Sequence, residues 1–79
     1  MAKNVYRINA FCWNKQKRKY EDKEINVLRD YWEAITLYNR LTPSADMMQV
    51  ELWEDSVNKH GITINSERIK MKDQAHNWV

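Results

Sequence analysis

Polar and apolar residues alternate along residues 4–13, with Tyr6, Ile8, Ala10 and Cys12 on one parity and Val5, Arg7, Asn9, Phe11 and Trp13 on the other. A period of two, carried by β-branched and aromatic side chains, predicts a strand whose even set forms the core face. Residues 14–19 are polar and basic and read as a loop. Alternation resumes more weakly over residues 20–28, where Ile25 and Val27 share one face and Tyr20, Asp22, Glu24 and Asn26 the other. Two short strands around a compact loop predict an antiparallel hairpin.

The period changes at Asp30. Asp30 and Glu33 have the spacing of a capping box, with Asp in place of the usual Ser or Thr. Both acids also suit the positive end of a helix dipole. Tyr31, Ala34, Ile35, Tyr38 and Leu41 then recur at helical spacing, with Leu37 on the flank and Trp32 off the stripe. Pro43 disfavours helical geometry at Thr42, so the helix is expected to stop near Leu41. A helix this short is marginal alone and must pack on the sheet.

Residues 47–55 alternate again, with Met48, Val50 and Leu52 expected inward and Met47, Gln49, Glu51 and Trp53 outward. A loop leads to a final extended stretch. There Ile62 and Ile64 share one parity and Ile69 and Met71 the other, so a bend or bulge is expected at 65–67. Residues 73–79 read as a frayed tail. The element order predicts an α+β fold: a four-stranded, mainly antiparallel sheet in ββαββ order with one helix packed on one face. Residues 1–79 form a single domain in this reading.

Length sets the scale. A 79-residue chain buries a modest core, and stability of roughly 3–5 kcal/mol is expected for a domain of this size without staples. Cys12 is the single cysteine. It can form no internal disulfide, suits a reducing compartment, and reads as a small hydrophobe on the core face. Four Trp, four Tyr and one Phe supply apolar area in place of staples. The N-terminal residues lack the long apolar stretch of a signal peptide and no apolar run is long enough to span a membrane. A soluble cytoplasmic protein without membrane partners is expected.

Lys and Arg number 13 against 11 acids, a net +2, too little to imply nucleic-acid binding by bulk charge. The distribution is uneven: residues 1–40 hold nine basic and five acidic side chains, and residues 41–79 hold four and six. Lys15, Lys17, Arg18 and Lys19 make most of the excess, flanked by Trp13 and Tyr20. This loop can steer docking onto an acidic protein surface, grip phosphates beside a stacking aromatic, or stand as a solvated hairpin tip.

Catalytic and metal chemistry find little footing. His60 and His76 lack Cys, His or paired carboxylates at ligand spacing. Glu54 and Asp55 are adjacent on a strand and point apart, which does not suit paired-carboxylate work. Nothing supplies an activating base for Cys12. No enzyme activity, metal or cofactor is expected. The second sheet face is the better lead: one helix covers one face, leaving Phe11, Trp13, Tyr20, Met47 and Trp53 on the other. An exposed group of this size suggests an interaction surface, although the side chains could instead cover one another or lie under the C-terminal tail.

Glu33, Ala34, Tyr38 and Leu41 form an E-A-x-x-x-Y-x-x-L helix pattern, and residues 50–55 read V-E-L-W-E-D. In these features, over roughly residues 20–72, the chain resembles small uncharacterised proteins carried by phages and prophages. The matching positions are cap, core and strand residues, so no functional residue carries over. The resemblance implies a phage accessory protein acting in the host cytoplasm by stoichiometric binding to a host or phage protein. An inhibitor of a defence system, such as an anti-CRISPR, is one such form. A homodimer through the open sheet face is a further partner this reading allows, and a small nucleic-acid-binding protein using the loop at 15–19 is the alternative. A protein sequestering a small nucleotide in an oligomeric pocket ranks last, because the sequence has no phosphate loop.

Overall fold

The computed structural model describes residues 3–74; residues 75–79 of the tail expected at 73–79, with His76 and Trp78, lie outside them. The elements are β1 (Lys3–Asn14), β2 (Lys19–Leu28), α1 (Tyr31–Arg40), β3 (Met47–Val57) and β4 (Thr63–Asp73). The α+β fold in ββαββ order is as the hydrophobic pattern predicts. The sheet order is β2-β1-β3-β4, antiparallel throughout. β2 and β3 therefore run parallel on either side of β1, and α1 makes the crossover between them.

The central strands supply the core. Ile8 and Ala10 from β1 and Val50 and Leu52 from β3 are buried with Ala34 and Tyr38 of the helix. Ile8 lies opposite Leu52 and Ala10 opposite Val50, so the even parity of both strands meets the helix. Ile35, Leu37 and Leu41 pack around this centre from α1, and Tyr6 and Cys12 do so from β1. Cys12 is half-buried there.

Asp30 caps the helix as its spacing predicts: its Oδ2 accepts a hydrogen bond from the Glu33 amide at 3.0 Å. Leu41 ends the helix in extended geometry, its amide donating to the Tyr38 carbonyl. Asp30→Ala is expected to cost about 1 kcal/mol by loss of this cap, read as a lower urea midpoint with an unchanged slope.

Bulges correct the inward and outward assignments at four places. An extra residue of β3 stands at Met48, because Cys12 pairs with Met47 and Phe11 with Gln49. Met47 therefore packs against the helix-side core and Met48 is 38% exposed, the reverse of the simple alternation. On β2 the register shifts between Ile8 and Asn9 and leaves Ile25 as the extra residue. Ile25 and Leu28 reach the core, whereas Val27, opposite Arg7, is 45% exposed on the other face. β4 bulges at Ile64 and Ile69 rather than at 65–67. The second bulge turns Ile69 onto the core, while Ile62 and Ile64 stay exposed. β4 also extends through Asp73, and the Gln74 amide donates to the Met48 carbonyl at 2.9 Å, so the first residues of the expected tail are tied to the sheet.

Candidate functional site

Among the described residues the sheet face opposite the helix is uncovered, and the odd residues of β1 define it. Asn14 builds its basic end. The Asn14 side-chain carbonyl accepts from the amides of Gln16 and Lys17, and its Nδ2 donates to Glu21 at 2.6 Å. This Asx-type turn holds the loop tight enough for Arg18 to take a positive φ of 53°. Lys15, Lys17, Arg18 and Lys19 all remain exposed. Lys17 reaches Glu21 at 3.6 Å, and the Glu21 carboxyl is held below its ordinary value, chiefly by the Asn14 hydrogen bond.

Three of the five expected contact residues cluster beside that loop. Trp13 lies opposite Tyr20 across the hairpin, and their rings meet edge-on at 5.0 Å. Phe11 stacks on Tyr20 at 5.5 Å with an interplanar angle of 19°. The Tyr20 hydroxyl donates to the Ala45 carbonyl at 2.7 Å, and the Trp13 amide donates to the Asp46 carbonyl at 2.8 Å. The cluster is thus anchored to the loop before β3. Phe11 and Tyr20 are half-buried by this arrangement and Trp13 is 37% exposed.

Trp53 belongs to a separate group at the centre of the face. It lies opposite Arg7 on one side and Arg68 on the other. The Arg7 guanidinium stands 5.2 Å from the Trp53 ring centroid and makes a two-pronged contact with Asp55, Nε to Oδ2 at 2.8 Å and Nη2 to Oδ1 at 3.2 Å. Arg68 pairs with Glu51 at 3.2 Å. Hydrogen bonding to Arg7 holds the Asp55 carboxyl below the usual range, with Ser66 adding to it, and the same bond raises the Arg7 pKa. Asn9 Oδ1 and Trp53 Nε1 are buried with no hydrogen-bond partner among the described residues. Met47, the fifth expected contact residue, lies on the helix side and takes no part.

The face is therefore divided rather than uniformly apolar. Its register places Asp22 opposite Phe11, Glu24 and Glu51 opposite Asn9, Asp55 opposite Val5 and Asp73 opposite Gln49. Carboxylates run along it between the aromatic cluster and the far end. Glu54 points the other way, to Tyr6, whose phenol pKa is raised by burial and by this neighbour. Glu54 and Asp55 thus lie on opposite faces.

Two features escape the sequence pattern. Lys72 is fully buried against the helix, and a cleft opens at the end of the face away from the basic loop. Trp32, off the helix stripe, is 72% exposed and touches Tyr31 edge-on at 5.2 Å. Among the described residues no three His, Cys, Asp or Glu side chains converge as a metal site requires, and no helix is long and apolar enough to cross a membrane. Comparison of the chain with protein families, with curated proteins and with solved structures gave no significant match, so the chemistry of this face rests on its own residues.

Proposed function

We propose that the protein is a non-enzymatic binding module that docks another protein through the aromatic and basic end of its uncovered sheet face. The observation that carries this reading is the placement of Trp13, edge-on to Tyr20 and partly exposed, next to Lys15, Lys17, Arg18 and Lys19. Trp and Tyr supply anchors that lose water on docking, and cations at the rim steer encounter with an acidic surface. The occupant is a protein bearing an acidic patch beside an apolar pocket that accepts the Trp13 indole. The likeness of residues 33–41 and 50–55 to phage-borne proteins supports a phage accessory role, such as inhibition of a host defence system like CRISPR, as the concrete form of this reading.

The charge layout favours that occupant over the alternatives. A single strand of nucleic acid laid along the face would meet the exposed carboxylates of Asp22 and Glu24, while the two arginines at its centre are already paired, Arg7 with Asp55 and Arg68 with Glu51. Phe11 and Tyr20 already stack on each other, which occupies ring faces a base would use. A second copy placed face to face would oppose the same carboxylates, which disfavours a homodimer through this surface. The protein is expected to sediment as a monomer.

The decisive comparison uses two baits, the wild-type protein and a Trp13→Ala, Lys17→Glu, Arg18→Glu variant. Lys17 and Arg18 lie in the exposed loop and Trp13 at the edge of the aromatic cluster, so the variant should keep a cooperative urea transition that shows it is folded. A partner bound by the wild type should bind the variant at least about tenfold more weakly, as expected for a lost aromatic anchor and reversed steering charges. Undiminished capture by the variant would sink the reading. Tight, steeply salt-dependent binding of a single-stranded oligonucleotide would favour the nucleic-acid alternative instead.

A further inference from the structure

At the end of the uncovered face opposite the aromatic cluster, a cleft of about 770 Å³ opens where three elements meet. Lys3 and Val5 come from the start of β1, Arg29 from the link between β2 and α1, and Val57 and Lys59 from the end of β3 and the turn after it. Register explains the meeting. Lys3 lies opposite Val57, and Tyr6 lies opposite Leu28, which brings Arg29 alongside Val5. Ten residues of extended chain, roughly 33 Å, separate Lys3 from Trp13, so the cleft and the aromatic tip are distinct places.

Its lining has the chemistry of an anion site. Lys3, Arg29 and Lys59 are exposed, and among the described residues no carboxylate lines the cleft. None of the three enters an ion pair among the described residues, whereas Arg7, Lys17 and Arg68 do. Asp55, opposite Val5, is committed to Arg7. The two asparagines of the lining add neutral donors. Asn4 Oδ1 accepts from the Ser56 hydroxyl, and Asn58 Oδ1 accepts from the amides of His60 and Ile62. Asn58 Oδ1 thereby holds two hydrogen bonds and Asn4 Oδ1 one, and the amide nitrogen of each is the donor it can offer an anion. Cations gathered without an internal counter-charge repel one another and focus a positive potential that a bound anion relieves.

We infer that this cleft binds a phosphorylated small molecule of nucleotide size. Its phosphates lie between Lys3, Arg29 and Lys59, and its less polar body rests on Val5 and Val57. The guanidinium of Arg29 suits two phosphate oxygens at once, and the lysines act as point charges. The volume lies within the range of small-molecule sites and is far more than a lone phosphate fills. This site goes beyond protein docking at the tip and does not depend on it.

The test is a titration of amide chemical shifts with pyrophosphate, ADP, adenosine and a 5′-phosphorylated oligonucleotide. ADP and pyrophosphate should move the amides of Lys3, Val5, Arg29 and Lys59, with ADP binding tighter than either pyrophosphate or adenosine. Arg29→Gln combined with Lys59→Gln, both exposed changes, should weaken ADP binding about tenfold or more, the loss expected for charge-assisted contacts. Lys17→Gln and Trp13→Ala, at the opposite tip, should leave ADP binding unchanged, and this separates the cleft from the docking surface. The inference fails if ADP shifts the tip amides as much as the cleft amides, or if the double variant keeps its affinity. Binding of the oligonucleotide through the cleft without binding of ADP would overturn the small-molecule assignment.

Discussion

Replacing Arg7 with methionine is expected to cost about 3–5 kcal/mol of folding stability, the range for stripping a buried carboxylate of its partner. That is most of what a domain of this size has. Asp55 is only 5% exposed although it lies on the face the helix leaves uncovered. Arg7 is what makes this burial tolerable, since both carboxylate oxygens are engaged by its guanidinium. Without it Asp55 keeps the Ser66 hydrogen bond but loses its counter-charge. The pH dependence should reverse as well. In the wild type the folded-state pKa of Asp55 lies below its ordinary 3.8, so the pair's contribution is present above that value and is lost as pH falls through the folded pKa. In Arg7→Met, burial should lift the folded pKa above 3.8, so the variant regains stability relative to wild type as pH falls from neutrality toward that value. Urea unfolding of both proteins at neutral pH and near pH 4 measures this. Arg7→Met with Asp55→Asn should recover much of the loss, since the neutral amide needs no counter-charge. A loss under about 1 kcal/mol in the single variant would mean that the pair behaves as a solvent-screened surface bridge.

Sequence periodicity carried the fold as far as each strand kept a strict period of two. Ile8, Ala10, Val50 and Leu52 were legible as core, and the Tyr31-Ala34-Ile35-Tyr38-Leu41 stripe was legible as the helix face that covers them. The errors fall at bulges. A single extra residue reverses parity, so Met47 and Met48 exchanged roles, Val27 turned outward and Ile69 turned inward. In β4 the parity change between Ile64 and Ile69 announces an irregularity without fixing its position, whereas in β2 and β3 nothing local marks the insertion, because a bulge is chosen by the packing of the whole sheet. Phe11, Trp13 and Tyr20 could be placed on the uncovered face from parity alone. Their mutual stacking could not, since it depends on how the hairpin pairs. Arg7 and Asp55 are 48 residues apart, and only the register between β1 and β3 joins them. Lys3, Arg29 and Lys59 each read as an isolated surface charge. They become a site because three strand ends finish at the same end of the sheet.

Lys72 gives the second large effect. Its side chain is fully buried, its Nζ donates to the Tyr38 carbonyl at 2.7 Å, and the ammonium stands 4.3 Å from the Tyr38 ring centroid. A lysine in the last strand reads as a surface cation, yet the bulge at Ile69 places Lys72 opposite Val50, under the helix. The location has a physical basis: the carbonyl end of a helix carries partial negative charge, and the Tyr38 ring face adds to it. Lys72→Ala should therefore cost about 2–5 kcal/mol, because it removes a long buried stem as well as the hydrogen bond. Lys72→Met keeps most of the stem's volume and should cost less, so the difference between the two variants isolates packing from polar contact. The pH dependence follows from burial, which lowers the Lys72 pKa below its ordinary 10.5. The unfolded chain then holds the proton more tightly than the folded one, so Lys72 makes stability rise with pH between the folded value and 10.5. Tyr38 acts oppositely. Burial raises its phenol above 10.0, and stability falls as pH climbs past that value. Comparing wild type with Lys72→Met across the alkaline range cancels the tyrosine contribution and leaves the lysine alone. Wild type should gain on the variant as pH rises. If both lose stability in parallel, the ammonium is solvated and the helix end does not depend on it.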